Sequence, residues 1–197
     1  MSSQPTKSSL TRELKTQATI LTGTLSVFWV TEIIDRVVLA GGLDKFGIVP
    51  RHLVGLRGIL FAPFLHGDFA HLIANSVPFL VLGWFVMLQE TSDFWVVSVL
   101  AMLIGGLGVW LFGAPGFHIG ASGVIFGYLG FLLFRGLFQR NIPSIFLSVV
   151  VGFLYGGLIW GVLPLQEGIS WEGHLFGFLG GVIAAYLVAR EKRYFGQ

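Results

Sequence analysis

No cysteine occurs among the 197 residues, so disulfides and thiolate chemistry are excluded and the redox compartment is left open. Charge is almost as scarce. Asp, Glu, Lys and Arg make up 11% of the chain, against about 25% in a soluble domain. With 54% hydrophobic residues and a mean hydropathy of +0.82, the sequence reads as a membrane protein whose first partner is the lipid bilayer. A net charge of +2 is too small to hold a nucleic-acid backbone, so no nucleic acid is expected. Internal repeats and low-complexity segments are also missing, and one domain of ordinary size is expected.

The first sixteen residues are polar and carry Lys7, Arg12, Glu13 and Lys15. No apolar stretch with a small-residue cleavage site follows closely, so no cleaved signal peptide is expected, and Glu13 argues against a transit peptide. The expected organisation is a polar tail over 1–16, a six-span domain over 17–190 and a basic tail over 191–197. A spanning helix needs roughly 20 mainly apolar residues. Six stretches qualify, at about 17–38, 70–88, 94–112, 121–138, 142–163 and 172–190. Glu32 and Arg36 near the end of the first are spaced to pair on one helix face. Asn141 and Pro143 mark a plausible start for the fifth. Between the first two lies a long stretch, 39–69, with Gly41, Gly42, Asp44, Lys45, Pro50, Arg51, Arg57, Pro63 and Asp68. It is too broken and charged to span, yet rich enough in Phe, Leu and Ile to lie in the interface as short amphipathic helices.

With six spans both termini share a side. Lys7, Arg12, Lys15, Arg135, Arg140, Arg190, Lys192 and Arg193 then fall together, eight of the twelve basic residues. The positive-inside rule makes that side cytoplasmic, although the turn at Glu90 and Asp93 on it has no basic residue. The second, fourth and sixth spans all enter from the other side. His71, Ser122 and His174 stand near their starts and so reach similar depth.

Polar groups within a membrane are costly and face a partner or a water-filled cavity. A lone serine in a spanning helix ordinarily bonds back to its own helix or packs as a small residue. Ser122 has a richer setting, Gly120-Ala121-Ser122-Gly123. Gly123 and Gly127 on one span, and Gly173, Gly177 and Gly181 on another, stand at the four-residue spacing that lets helix backbones touch. If those spans pack, the Ser122 hydroxyl meets the His174 imidazole, which can serve as its base. His71 and Asn75 share one helix face; they can donate to an oxyanion together with the Ser122 N–H, or simply join helices. Phe126, one turn below Ser122, can stack on His174 or fill the core. No carboxylate is placed to orient His174: Glu172 points elsewhere on its helix and Asp68 lies in a loop, so a dyad is expected instead of a triad. The soluble-hydrolase elbow fails because Val124 occupies its second glycine position and no strand precedes. His66, Asp68, His71, His118 and His174 are conceivable zinc ligands. However, there is no His-Glu-x-x-His, and His66 and His71 are badly spaced for one helix face. Neither metal nor cofactor is expected.

In combination these motifs resemble the rhomboid family of intramembrane serine proteases, over about 57–185. The resemblance rests on His66, His71-Leu72-Ile73-Ala74-Asn75, Gly120-Ala121-Ser122-Gly123, and His174-Leu175-Phe176-Gly177 with Gly181. It implies an all-α, six-transmembrane-helix rhomboid-like bundle with a long membrane-interfacial first loop. It also implies that Ser122 is the nucleophile and His174 the general base, with an oxyanion site from His71, Asn75 and the Ser122 N–H. Arg57 would anchor the first loop. Leu56 stands where the family usually has tryptophan, and Phe126 where it often has tyrosine. The implied substrates are single-span membrane proteins whose helix unwinds locally, with a small residue before the cut. The implied location is the bacterial cytoplasmic membrane, with both termini cytoplasmic and the active site opening to the other side. The fifth span and the loop 164–171 would gate and cap the site. A non-proteolytic relative that binds membrane clients is the competing expectation; the intact serine and histidine argue against it.

Overall fold

The structure, a computed structural model, describes residues 7–165 and 168–195. Residues 1–6, 166–167 and 196–197, which hold parts of the expected tails and cap, lie outside the described residues. Seven α-helices occur among the described residues: α1 Lys7–Val37, the one-turn α2 Gly58–Phe61, α3 Phe69–Met87, α4 Asp93–Phe112, α5 Ser122–Gln139, α6 Ile142–Tyr155 and α7 Trp171–Phe195. Six stretches are long and apolar enough to cross a membrane: Ser9–Val37, Phe69–Met87, Asp93–Phe112, Ser122–Gln139, Ile142–Val162 and Trp171–Tyr194. The molecule is an all-α bundle and an integral membrane protein. No strand forms among the described residues; one isolated antiparallel bridge joins Ile48 and His118.

Two differences from the sequence-based boundaries have simple causes. Helix α1 starts at Lys7, inside the stretch that reads as a polar tail. Its 31 residues extend roughly 46 Å at 1.5 Å per residue, longer than the ~30 Å hydrocarbon layer, so its first turns stand beyond the lipid core where Lys, Arg and Glu are at home. The fifth span keeps its expected length but changes form. It is α-helical to Tyr155 and 3₁₀ over Gly156–Val162. The change falls at Gly156-Gly157, where the intrinsic helix preference is weakest.

Helix α5 is the hub, apolar around most of its circumference and packed on α3, α4, α6 and α7. Its Val124, Tyr128, Leu129, Phe131 and Leu132 join Leu72, Phe79 and Val86 of α3, Phe94 and Val97 of α4, and Ala184 and Ala185 of α7 in one core. The α5–α7 contact is the most extensive in the molecule, and it is made backbone to backbone. A Cβ added at Gly177 would overlap the Gly123 carbonyl, and one at Gly181 would overlap the Gly127 carbonyl. Lipid tails are as apolar as leucine, so helices in a bilayer gain from this close van der Waals contact where exclusion from water gives no help. The fifth span is the least buried of the six. Phe153 is 89% exposed, and α6 leans mainly on α5.

The first loop, 38–68, is folded as short turns: 3₁₀ segments at Asp44–Phe46, Leu53–Arg57 and Ala62–Phe64, with α2 between the last two. Ile48, Ala62 and Val109, with Ile59 and Trp110, form a small separate core under it. Arg36 at the end of α1 ties it down. It reaches Glu32 at 2.9 Å, as the spacing suggests, and also Asp44 at 3.1 Å and the His66 carbonyl at 2.8 Å. At the opposite end of the bundle the two unbalanced acids find partners on distant helices. Asp93 pairs with the fully buried Arg135 of α5 at 2.8 Å, and Glu90 with Lys192 of α7 at 3.0 Å.

The seam makes a stability prediction. Gly181→Val is expected to cost about 3 kcal/mol by overpacking, seen as a clear fall in thermal unfolding temperature in detergent. Gly23→Ala, on α1 with open space around it, is expected to be neutral or stabilising by up to about 1 kcal/mol. Equal effects at the two sites would contradict the close α5–α7 contact.

Candidate active site

Ser122 is the first residue of α5. Two residues earlier Gly120 has φ +117°, a conformation that side chains disfavour, and its N–H donates to the Ala62 carbonyl at 2.9 Å. That bend delivers Ser122 to the helix N-terminus, where the first backbone N–H groups lack intrahelical acceptors. His174 lies in the first turn of α7, its N–H donating to the Ser170 carbonyl at 3.2 Å. Because α7 meets α5 through glycine, the two residues arrive at the same level. Ser122 Oγ is 2.9 Å from His174 Nε2.

The imidazole is fixed on two further sides. His174 Nδ1 is 2.9 Å from the Gly161 carbonyl oxygen. A carbonyl only accepts, so Nδ1 carries the proton and Nε2 of the neutral ring is left to accept from the serine hydroxyl. The Phe126 ring lies flat on the imidazole, centroids 4.1 Å apart and planes 5° apart. His174 is 8% exposed and Ser122 is half-buried, so the imidazole is shielded while the hydroxyl stays reachable. The nearby Glu172 carboxylate is turned away and accepts from the Ala114 N–H at 3.2 Å. Asp68 caps α3, its Oδ1 accepting from the His71 N–H at 2.7 Å.

His71 and Asn75 approach from α3. The Gly67 N–H donates to His71 Nδ1 at 3.4 Å, which leaves the ring proton on Nε2. Asn75 Nδ2 donates one hydrogen to the His71 carbonyl at 3.1 Å and has a second available. Both nitrogens converge on Gly120: a Cβ there would lie 2.7 Å from His71 Nε2 and 3.9 Å from Asn75 Nδ2. Any larger residue at 120 would push the imidazole away. Beside Ser122 a cavity of about 50 Å³, lined among others by Ala62, Met102, Gly106, Val109, His118 and Ser170, has room for about one or two water molecules at ~30 Å³ each.

Of the residues singled out in the sequence, Ser122, His174, Phe126, Gly120, Gly123, His71 and Asn75 are thus brought together. Gly177 and Gly181 stand below them on the α5–α7 seam. Arg57 is not part of the cluster. It donates to the Lys45 carbonyl at 3.2 Å and lies 4.6 Å from the centre of the Phe46 ring, holding the first loop to itself, while Leu56 before it is exposed. His66 is fully buried with its ring 5.1 Å from that of His71. Burial, then the neighbouring His71, lowers its pKa to about 3. Gly161 was not legible in advance, because a backbone carbonyl has no sequence signature.

Comparison with known proteins places the chain in a family. A profile of the Rhomboid domain matches residues 54–191. The chain belongs to the rhomboid family. An uncharacterized protein of Mycobacterium tuberculosis is 44% identical over 185 residues, covering 89% of this chain and 76% of that one. A candidate rhomboid protease of Bacillus subtilis, YdcA, is 32% identical over 132 residues, covering 65% of each chain. RHOMBOID-like protein 1 of Arabidopsis thaliana is 27% identical over 165 residues, covering 80% of this chain and 41% of the plant protein. As a rhomboid the chain is an intramembrane serine protease, a hydrolase of peptide bonds.

Gly161 offers a direct test of how the imidazole is seated. A Cβ at 161 would lie 2.6 Å from Phe126 Cζ and 3.4 Å from His174 Nδ1. Gly161→Ala is expected to displace the stacked ring and lower kcat about ten- to a hundredfold, the scale of a 1 Å misplacement. Cleavage of a tagged single-span reporter at saturating substrate measures this, and an unchanged kcat would show that the seating of the imidazole does not matter for cleavage.

Proposed function

We propose that the chain cleaves single-span membrane proteins within or near their spanning helix by a Ser122–His174 dyad. The observation that carries the reading is the 2.9 Å contact between Ser122 Oγ and an imidazole nitrogen free to accept. His174 Nε2 takes the hydroxyl proton as Oγ attacks the scissile carbonyl carbon. The oxyanion is held by the Ser122 N–H with His71 Nε2–H and Asn75 Nδ2–H. The tetrahedral species collapses as His174 returns its proton to the leaving amine, leaving an acyl ester on Ser122. A water, deprotonated by the same imidazole, hydrolyses the ester and restores the serine.

The Gly161 carbonyl does part of what an aspartate does in a triad. It fixes the tautomer and the ring orientation, but as a neutral dipole it stabilises the imidazolium less than a carboxylate would. Phe126 contributes ring orientation alone. The absent tyrosine hydroxyl is no loss for that purpose.

The substrate's helix must unwind before its peptide bond can reach Ser122, because a helical carbonyl is hydrogen-bonded and shielded. The small cavity beside Ser122 suits a small side chain next to the cut. Helix α6, loosely packed and ending in a 3₁₀ stretch, suits a gate through which a substrate segment enters from the bilayer, with 164–171 as the cap. The basic residues near the opposite end of the bundle support a cytoplasmic location for both termini, in a bacterial cytoplasmic membrane, with the site opening to the other face.

Ser122→Ala and His174→Ala are expected to abolish cleavage of a tagged single-span reporter in proteoliposomes while the protein remains folded. His71→Ala and Asn75→Ala are expected to slow turnover by roughly one to three orders of magnitude. Products that persist in Ser122→Ala would rule out the dyad and favour a client-binding role, and unchanged rates at 71 and 75 would reject their part in the oxyanion site.

A further inference from the structure

We propose that His118 is a positioning residue for this reaction: with Ser170 and Glu172 it clamps the loop that leads to the nucleophile onto the turn that leads to the base. The inference rests on the dyad proposed above and adds residues outside it.

The loop 113–121 joins α4 to α5 and ends at Ser122. His118 Nε2 lies 2.8 Å from the Ala114 carbonyl oxygen. That oxygen only accepts, so Nε2 bears the proton and Nδ1 is the acceptor. The hydroxyl of Ser170, 2.7 Å from Nδ1, is then the donor. Ala114 itself is held from α7, its N–H donating to Glu172 Oε1 at 3.2 Å. The segment 114–118 is therefore closed on itself by the imidazole and fastened at both ends to residues 170 and 172.

Ser170 is well placed to transmit this. Its carbonyl accepts from the His174 N–H, and its hydroxyl also accepts from the Gly173 N–H at 3.4 Å. It thus starts the turn on which the base stands. On the other side, His118 exchanges backbone bonds of 2.9 and 3.0 Å with Ile48, and Ser122 follows four residues later. The glycine seam brings the helices together from Gly123 and Gly173 downward. Beyond it the His118 ring ties the loop entering α5 to the turn entering α7, and so holds Ser122 against His174 from the loop side. Its two nitrogens are engaged with Ala114 and Ser170, so it acts through position and does not itself transfer a proton.

The test uses the full chain purified in detergent, with kcat and KM for a tagged single-span reporter. It adds the rate of labelling by a fluorophosphonate, which reports Ser122 nucleophilicity without a substrate helix, and thermal unfolding of each variant. His118→Ala is expected to lower kcat and labelling about ten- to a hundredfold with KM within about threefold. His118→Asn places Oδ1 where Nδ1 stood, keeps the Ser170 bond and is expected to recover most of the loss. Ser170→Ala is expected to resemble His118→Ala, and the double variant to be no worse than either, as for residues acting through one contact. An unchanged kcat in His118→Ala, a rise in KM alone, or a loss that follows the folded fraction and is not relieved by Asn would each overturn the clamp. If His118→Ala does not fold, Ser170→Ala, which lacks only a hydroxyl, decides by the same criteria. Cleavage that survives Ser122→Ala defeats the dyad itself, whereas Ser122-dependent cleavage unaffected by His118→Ala defeats the clamp alone.

Discussion

The carbonyls of Gly123 and Gly127 lie against Gly177 and Gly181 with no space for a side chain between them. That approach sets the level at which α5 and α7 meet. Two helices separated by ordinary side chains run with their axes roughly 8–10 Å apart. Removing the Cβ atoms at the seam brings the backbones together, so that residues in the first turns of α5 and α7 share a hydrogen bond. Helix α4 completes the arrangement, since Gly105 also lies against Gly177. The glycines that weaken a helix in water do little harm here, because in lipid every backbone group must be bonded within its helix anyway.

The ring partners of His174 are uncharged: the Gly161 carbonyl and the Ser122 hydroxyl. A carboxylate buried beside His174 would carry a large desolvation cost in a membrane, whereas the Gly161 carbonyl already belongs to the chain and needs one good acceptor geometry. The 3₁₀ form of Gly156–Val162 has a clear consequence at this point. It ends the fifth span in a tighter-wound helix of poorer hydrogen-bond geometry, and the Gly161 carbonyl within it accepts from His174 Nδ1. The same segment lacks side chains at 156, 157 and 161, and at 161 this permits the close approach of Phe126 and His174.

Ionisable groups are handled differently at the two ends of the bundle. At the site end Arg36 gathers Glu32, Asp44 and a loop carbonyl, so the first loop is seated by charge-assisted bonds. Two backbone bonds between Ile48 and His118 and one from Gly120 to Ala62 then stitch that loop to the loop that precedes Ser122. At the other end each acid of the 90–93 turn meets a cation from α5 or α7. The charge imbalance visible along the sequence at that turn is therefore corrected in space.

The amino-acid sequence alone determined the class of molecule, the six spans to within a few residues, the glycine stripes and the identity of the polar residues that share a depth. These are readable because lipid imposes length and apolarity on every span and makes each intramembrane Ser, His or Asn an exception needing a reason. It could not show that α1 begins at Lys7, since polar residues suit a helix projecting beyond the lipid as well as they suit a tail. Nor could it show Gly161 as partner of His174, Arg135 as partner of Asp93, or the ring of contacts through His118, Ser170 and Glu172. Each joins residues far apart in the chain through a backbone carbonyl or a single side-chain nitrogen. Such pairings have no period and no motif, and only the packing of helices decides them.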